Sequence, residues 1–456
     1  MTEELAIVIM AAGKGTRMKS AHPKVLHRLA GATLLQHVLD TAAALGAART
    51  VVVTGAGAAA VEASVHGERV RCVRQEPQLG TGHAVQQALP ELPERGITLV
   101  LNGDVPLIEA DTARALVAAC GGERLALLTV SLADPQGYGR IVRAADGALR
   151  AIVEEKDASP EQRALREVYT GMMAAPTAAL RRWLGALGND NAQREYYLTD
   201  VVAMAVAEGT GVVGAHPRSE DEVLGVNSPA QLAELERRVQ RRRAEALMGA
   251  GVRLADPARL DVRGELLCAS DVEIDVNCVF EGRVVLGEGV RIGANCVVAD
   301  ARIDAGAVIH PFTHIEGAHV GAGARVGPYA RLRPGAELGA EVHVGNFVEI
   351  KNSTLARGAK ANHLAYLGDA TVGERVNYGA GSITANSDGA NKHRTVIGAD
   401  AHVGSNCVLV APVTVGAGAT IGGGSTIAKD APAGRLTLAR ARQVTVPGWQ
   451  RPVKAK

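Results

Sequence analysis

Aromatic side chains are scarce: 3 Phe, 7 Tyr and 2 Trp in 456 residues. That is too few for a row of stacking platforms along a single-stranded nucleic acid. Net charge is nearly absent, +1 from 49 basic and 48 acidic residues, so no general field draws the chain to a polyanion or an anionic membrane. No apolar stretch is long enough to span a bilayer, and acids precede the first short apolar run, unlike a secretory signal. Paired cysteines are missing too. Cys72, Cys120, Cys268, Cys278, Cys296 and Cys407 are scattered, include no CxxC, and read as small buried hydrophobes in a reducing compartment. A soluble cytoplasmic protein is expected, with no nucleic-acid partner and no membrane span. Apolar residues at 47% and charged residues at 21% mark a globular chain, and its length asks for two or three domains.

What the chain does have is a six-residue beat in its second half. Leu286, Ile292 and Val298 lie six apart; Ile303, Ile309 and Ile315 resume after a step of five. Val320, Val326, Leu332, Leu338, Val344 and Ile350 continue it, and it returns as Ile397, Val403, Leu409, Val415, Ile421 and Ile427. Gly often follows the aliphatic residue. A period of six fits neither an amphipathic helix nor a half-buried strand. It is the hexapeptide signature of a parallel β-helix, whose coils stack and fill their bore with the aliphatics.

The first half reads differently. Leu5–Met10, Thr50–Thr54, Ile97–Leu101 and Leu125–Leu132 are short apolar runs of the kind buried in parallel sheets, and helical patterns such as 34–45 and 111–120 alternate with them. A mostly parallel α/β sheet follows, and such sheets bind ligands beyond the carboxyl ends of their strands. Two polar loops fall there: 13–24, and Asn102-Gly103-Asp104. The Gly13 turn is no dinucleotide fingerprint, because Met18 stands at the third glycine and Thr54-Gly55 replaces the acid ending the next strand. It is no P-loop either. Its free N–H groups with Lys14, Arg17 and Lys24 suit a phosphate chain; the other reading is a βα turn with solvated cations.

Between the halves, Ser228-Pro-Ala-Gln231 opens a helix with a capping Ser and Pro at its first position. Arg237, Arg238, Arg241, Arg242 and Arg243 on one face are read as solvated and partnered by Glu234, Glu236 and Glu245, in preference to a nucleic-acid patch. The expected organisation is a first domain over 1–227, a connecting helix over 228–248, a β-helix over 249–434 and a tail over 435–456.

The beat breaks twice, around His363 and around Asn386. Insertions in a repeat array map to loops, often on the binding face. A lone His is usually a surface or satisfied residue, and the same holds for His310, His314 and His319, whose spacing with no acid or Cys makes no metal set.

Met10-Ala11-Ala12-Gly13-Lys-Gly-Thr-Arg17-Met18 with Pro23-Lys24 resembles the signature loop of sugar-1-phosphate nucleotidyltransferases. The stretches 75–84 (Gln75 to Ala84, with Gly80, Thr81 and His83), 102–107, 137–140 and 152–154 continue the match. Joined to the hexapeptide tract, the chain resembles the bacterial bifunctional N-acetylglucosamine-1-phosphate uridylyltransferase / glucosamine-1-phosphate N-acetyltransferase family. The resemblance implies a Rossmann-like nucleotidyltransferase domain plus a left-handed parallel β-helix. It places Met10, Ala11, Ala12, Gly13, Lys24, Gln75, Gly80, Thr81, Asn102 and Gly103 around UTP and the UDP-sugar. Gly139, Glu154 and Tyr169 fall at the sugar, and Asp104 and Asn227 at Mg2+. Arg17 and Lys24 neutralise the transferring phosphate. In the second half it places Arg333, Lys351, Tyr366 and Asn377 at glucosamine-1-phosphate, and Ala380, Asn386, Ser387, Ser405, Gly423 and Arg440 at acetyl-CoA. His363 becomes a general base oriented by Glu349. It also implies a homotrimer, with N-acetylglucosamine-1-phosphate as the second sugar substrate.

The sequence departs from the family pattern at four places. Tyr169 stands where many relatives carry Asn, Asn102 where many carry Tyr, Ser387 where Tyr is common, and Tyr378 where Ile is usual. Tyr378 is the candidate to fill the space left at Ser387. Two other functions remain open: a nucleotidyltransferase whose β-helix is only structural, and a UDP-sugar-binding regulator without catalysis. The set Glu349, Lys351, His363 and Tyr366 speaks against the first; Lys24, Asp104 and Asn227 together speak against the second.

Overall fold

The computed structural model describes residues 4–191 and 193–454, which fall into two compact units, Met1–Arg238 and Val239–Lys456. The division lies within the helix Pro229–Gly249. Ser228 Oγ caps that helix by accepting from the Gln231 N–H at 3.2 Å, while Gln231 Oε1 accepts from the Asn227 N–H at 2.9 Å. Among the described residues no helix is long and apolar enough to cross a membrane.

In the first unit the apolar runs become strands Leu5–Ala11, Arg49–Thr54, Ile97–Asn102 and Leu125–Ser131 of a nine-stranded sheet. Helices Leu34–Ala44 and Ala110–Cys120 flank it. Their faces Leu35, Val38, Leu39 and Leu116 pack into the same core as Ile7, Ile9 and Leu99. Strand Leu5–Ala11 lies parallel between Arg49–Thr54 and Ile97–Asn102. The chain therefore leaves its central strand in opposite directions, and the crevice beyond Ala11 and Asn102 is a topological switch point. The antiparallel strand Glu167–Pro176 enters beside Ile97–Asn102 and carries Tyr169 to the same end.

In the second unit the beat is the bore. Every aliphatic from Leu286 to Ile350 and from Ile397 to Ile427 named above is at most 2% exposed. Burying each such side chain contributes about 1.5–3 kcal/mol. The strands stack in parallel with a coil of 17 or 18 residues: Glu273 pairs Arg291, then Val308, Arg325, His343, Lys360 and Asn377. The next step, Asn377 to His402, takes 25 residues, because the loop after Ile383–Ala385 is inserted there. Tyr378 is 3% exposed and belongs to this core. Its ring therefore fills the bore and does not replace a ring at Ser387 on the surface.

Candidate functional site

The switch-point crevice is a cleft of 410 Å³ lined by Met10, Ala11, Ala12, Gly13, Lys24, Gln75, Gly80, Thr81, Asn102 and Asp104. Lys14, Val25, Gln78, Ala84 and Glu195 complete its wall. The Gly13 loop is held from behind: Gln78 Nε2 donates to Ala12 O at 2.6 Å. A Cβ at position 55 would meet that Gln78 nitrogen at 2.4 Å and Ala12 O at 2.7 Å. The glycine found where a dinucleotide site would want an acid is thus the space this strut occupies.

Lys24 Nζ sits 2.5 Å from Asp104 Oδ2 and 3.0 Å from Asn227 Oδ1. The two residues assigned to a metal by resemblance therefore aim oxygen atoms at one point, where a cation already stands. An oxygen-only pair suits a small hard cation that completes its shell with water and phosphate oxygens. Gly103 backs this corner, its N–H donating to Met10 O at 2.9 Å.

Next to the cleft is a pocket of 250 Å³ shared by Met10, Thr81, Asn102, Asp104, Gly139, Glu154, Tyr169 and Thr199. Burial is the main cause that raises the Glu154 carboxyl above its ordinary range, and the carboxylates of Asp157 and Asp200 add to it. Thr199 Oγ1 opposes this by donating to Glu154 Oε1 at 3.2 Å. The Tyr169 hydroxyl is buried with no hydrogen-bond partner in the protein, and burial followed by the Glu154 charge pushes its pKa well up. Asn102 Nδ2 donates to Thr170 O at 3.2 Å, beside it. Arg17, in the short turn Thr16–Met18, lines a broader basin with Thr81, Glu154 and Gln231 rather than the 410 Å³ cleft.

The second-unit residues form a column along one edge of the coils. Asn346 pairs His363 in register. The His363 carbonyl accepts from Gly381 N at 3.4 Å, Ala380 O from Asn406 N at 2.8 Å, and Ser405 O from Gly424 N at 2.8 Å. Arg440 Nη1 then donates to Gly423 O at 2.8 Å. His363, Ala380, Ser405, Gly423 and Arg440 thus follow one another on successive coils, a run of roughly 19 Å at 4.7–4.9 Å per strand spacing.

His363 does not meet Glu349. Its Nδ1 lies 2.9 Å from Asn346 Oδ1, whereas Glu349 Oε1 accepts from Arg333 Nη1 at 2.9 Å. The arginine takes the carboxylate because it sits one strand earlier on the same face, as the register Arg331–Glu349–Tyr366 shows. Lys351 lies on that face, paired to Gly368. Asn377 does not; it lies on the sheet with Lys360 and His402, its Nδ2 3.1 Å from His402 Nδ1. Asn386 is 7% exposed and donates from Nδ2 to Asp369 Oδ2 at 2.5 Å, and Asn352 Nδ2 donates to the other oxygen at 2.5 Å. A Cβ at position 368 would meet the Tyr366 hydroxyl at 2.3 Å and the Asn386 amide nitrogen at 2.7 Å, so glycine there leaves room for both. Ser387 is exposed on the inserted loop and bridges to Lys392.

Residues 7–250 match the family model of the MobA-like NTP transferase domain. Residues 262–346 match the GMPPB C-terminal domain, and 394–429 the six repeats of the bacterial transferase hexapeptide. A protein of Methylibium petroleiphilum is 76% identical over 99% of this chain and 100% of its own length. Proteins of Paracidovorax citrulli and Polaromonas naphthalenivorans are 68% and 69% identical, each over 99% of this chain and 98% of theirs. All three are named bifunctional protein GlmU. The chain belongs to the GlmU family.

For a GlmU chain, several site residues carry no local motif. Asp369, which holds the Asn386 loop, and Thr199, which meets Glu154, are brought in only by the fold. Gln78 and Asn346 do lie within the stretches that carry the resemblance. Their bonding partners, the carbonyl of buried Ala12 and the imidazole of exposed His363, bring them into the candidate site.

Proposed function

We infer that this GlmU-family enzyme is a bifunctional transferase that makes UDP-N-acetylglucosamine in two steps. Acetyl-CoA acetylates glucosamine-1-phosphate, and UTP then uridylylates N-acetylglucosamine-1-phosphate with release of pyrophosphate. The observation that carries it is the presence of both constellations in one chain: the oxygen pair gathered at Lys24, and the His363-to-Arg440 column. A β-helix serving only as scaffold has no use for the second.

In uridylyl transfer, the sugar phosphate oxygen forms a bond to the α-phosphorus of UTP, and the bond to the bridging oxygen breaks, releasing pyrophosphate. Gly13 and its neighbours cradle the phosphates, and Lys24 and Arg17 neutralise charge on the transferring group. Glu154, Gly139 and Tyr169 hold the sugar. Asp104 and Asn227 would hold Mg2+, which supplies charge neutralisation on the phosphate oxygens when bound.

In acetyl transfer, the sugar amine bonds to the thioester carbonyl carbon, the C–S bond breaks, and CoA leaves as thiol. His363 takes the amine proton; an imidazole near neutral pKa is suited to that task. Arg333, Lys351 and Tyr366 bind the sugar phosphate, with Glu349 fixing Arg333. Acetyl-CoA extends down the column, its phosphates toward Arg440, and the Asn386–Ser387 loop closes over the acetyl end.

A homotrimer completes this reading. Phe312, Tyr329 and Phe347 stack at 4.9 and 5.4 Å, are 48–56% exposed, and continue into Leu364 at 62%. All four hold positive φ, a costly conformation for bulky side chains. An exposed apolar ridge built at that cost supports packing against another copy. Asn377, on a different sheet face, would then join the sugar site of a neighbouring subunit. The assignment of 1–227 to uridylyl transfer, 228–248 to the linker, 249–434 to acetyl transfer and 435–456 to the tail follows. A cytoplasmic location fits substrates of this kind. The test is incubation with glucosamine-1-phosphate, acetyl-CoA, UTP and Mg2+, following CoA thiol and pyrophosphate separately; one product without the other overturns the bifunctional reading.

A further inference from the structure

We propose that Gln231 is a positioning residue for the cation corner: its side chain fixes the backbone of Asn227 and so holds Asn227 Oδ1 at the point it shares with Asp104. The inference rests on reading Asp104 and Asn227 as the residues that would hold Mg2+.

The chain contains Ser-Pro-x-Gln twice, as Ser159-Pro160-Glu161-Gln162 and Ser228-Pro229-Ala230-Gln231. Each opens a helix, Pro160–Arg163 and Pro229–Gly249. In both, the serine Oγ accepts from the glutamine N–H at 3.2 Å. At the first, Gln162 Oε1 accepts from the N–H of Ser159 itself at 2.9 Å, which closes an ordinary capping box. At the second, Gln231 Oε1 reaches one residue further back and accepts from the Asn227 N–H, also at 2.9 Å. Local preference is the same at the two places, so the difference comes from what lies before the second helix. Asn227 precedes the cap, so its N–H is not one of the helix's own unpaired donors. The redirected bond serves the segment ahead of the helix.

That segment leads into the cation corner. The Val226 N–H donates to Asp104 O at 3.0 Å. Asn227 Oδ1 lies 3.0 Å from Lys24 Nζ, which also meets Asp104 Oδ2. Two successive N–H groups are thus engaged, one by Asp104 and the next by Gln231. The second bond fixes the peptide plane that enters the Asn227 Cα, and with it the direction in which the side chain departs. An oxygen ligand held in place before the ion arrives has less ordering left to pay on binding. Gln231 needs no contact with the ion for this. Its side chain is exposed, so truncating it removes no core contact.

Mn2+ is the probe. It is titrated into the full chain saturated with UDP-N-acetylglucosamine, free ion is followed by electron paramagnetic resonance, and melting temperature is measured alongside. Gln231→Ala is expected to weaken Mn2+ binding about tenfold. Gln231→Glu, which can accept at the same place, is expected to restore it. Ser228→Ala removes the cap but leaves Gln231 its bond to Asn227. It is expected to lower the melting temperature while Mn2+ affinity stays within about twofold of the unsubstituted protein. Unchanged affinity in Gln231→Ala, a glutamate variant no better than alanine, or a loss in Ser228→Ala as large as in Gln231→Ala overturns the proposal. Asn227→Ala separates the two layers. Unchanged Mn2+ affinity there overturns the metal reading itself, whereas a loss in Asn227→Ala with none in Gln231→Ala overturns only the role of Gln231.

Discussion

Lys24 Nζ and Asp104 Oδ2 are 2.5 Å apart in a sheltered pair, their side chains 12% and 23% exposed. The cation that would meet the transferring phosphate is thus held by the carboxylate that would hold a metal. Asp104→Asn removes both the counter-charge and a hard ligand. It is expected to abolish UDP-sugar formation, a loss of at least about 10³ in rate. Acetyl transfer should be unchanged, because His363 and its column lie in the other unit. Separate assays of pyrophosphate and CoA thiol check this; joint loss would mean that the two sites are not independent.

Tyr169 offers a sharper reading of the sugar pocket. Its buried hydroxyl has no partner in the protein, so the protein gains nothing from it. Tyr169→Phe is expected to leave stability unchanged or raise it by about 1 kcal/mol. If the hydroxyl donates to the sugar, KM for N-acetylglucosamine-1-phosphate rises about tenfold with kcat retained. Thermal melts and steady-state kinetics test both halves. A melting temperature that falls would show that the phenol is structural.

Glu154 makes stability depend on pH. Its folded pKa is raised above the ordinary range of a glutamate carboxyl, chiefly by burial. The folded state therefore binds this proton more tightly than the unfolded state. The contribution is fully present below the unfolded value and is lost as pH rises through the folded one. Glu154→Gln removes the cost of the buried charge. Its melting temperature relative to the unsubstituted enzyme should rise between acid and neutral pH, while sugar binding weakens. A difference that does not change with pH would contradict the assigned burial.

The regular parts of the fold were legible because their causes are local. Continuous apolar runs gave the parallel strands to within about a residue, and the six-residue beat gave the bore from Leu286 to Ile427. From the residues alone the candidate site was legible where a motif is contiguous, as in the Gly13 loop; its dispersed members came from the family resemblance. The members of the column from His363 to Arg440 were named by resemblance, but their alignment was hidden, because the inserted loop changes one coil step to 25 residues and only strand register lines them up. The expected His363–Glu349 contact failed for a related reason. Spacing shows that both residues lie near the break, but not that Arg333, one coil earlier, claims the carboxylate.

Asp369 was equally invisible, yet it holds the loop. It is 9% exposed and accepts from the Asn352 and Asn386 amides. Asp369→Ala leaves the buried Asn386 amide, and the exposed Asn352 amide beside it, without their charged acceptor. A loss of about 2–4 kcal/mol is expected. KM for acetyl-CoA should rise at least about tenfold, with uridylyl transfer intact. Chemical denaturation and the two separate assays measure these effects. An unchanged acetyl-CoA KM would show that the Asn386 loop does not touch the donor.

His363 carries the last prediction, and its neighbour decides how the ring works. Asn346 Oδ1 accepts, so His363 Nδ1, at 2.9 Å, carries the hydrogen. Nε2 is left with its lone pair, ready for the amine proton. His363→Ala is therefore expected to lower kcat for acetyl transfer by about two to four decades at saturating substrates. Asn346→Ala removes the preference for that tautomer and should cost about tenfold, also in kcat. Glu349→Gln is different, because its carboxylate meets Arg333 and not the imidazole. Its effect should fall on KM for glucosamine-1-phosphate. If Glu349→Gln instead lowers kcat as far as His363→Ala with KM unchanged, the carboxylate acts on the ring during turnover, and Asn346 is not its orienting partner.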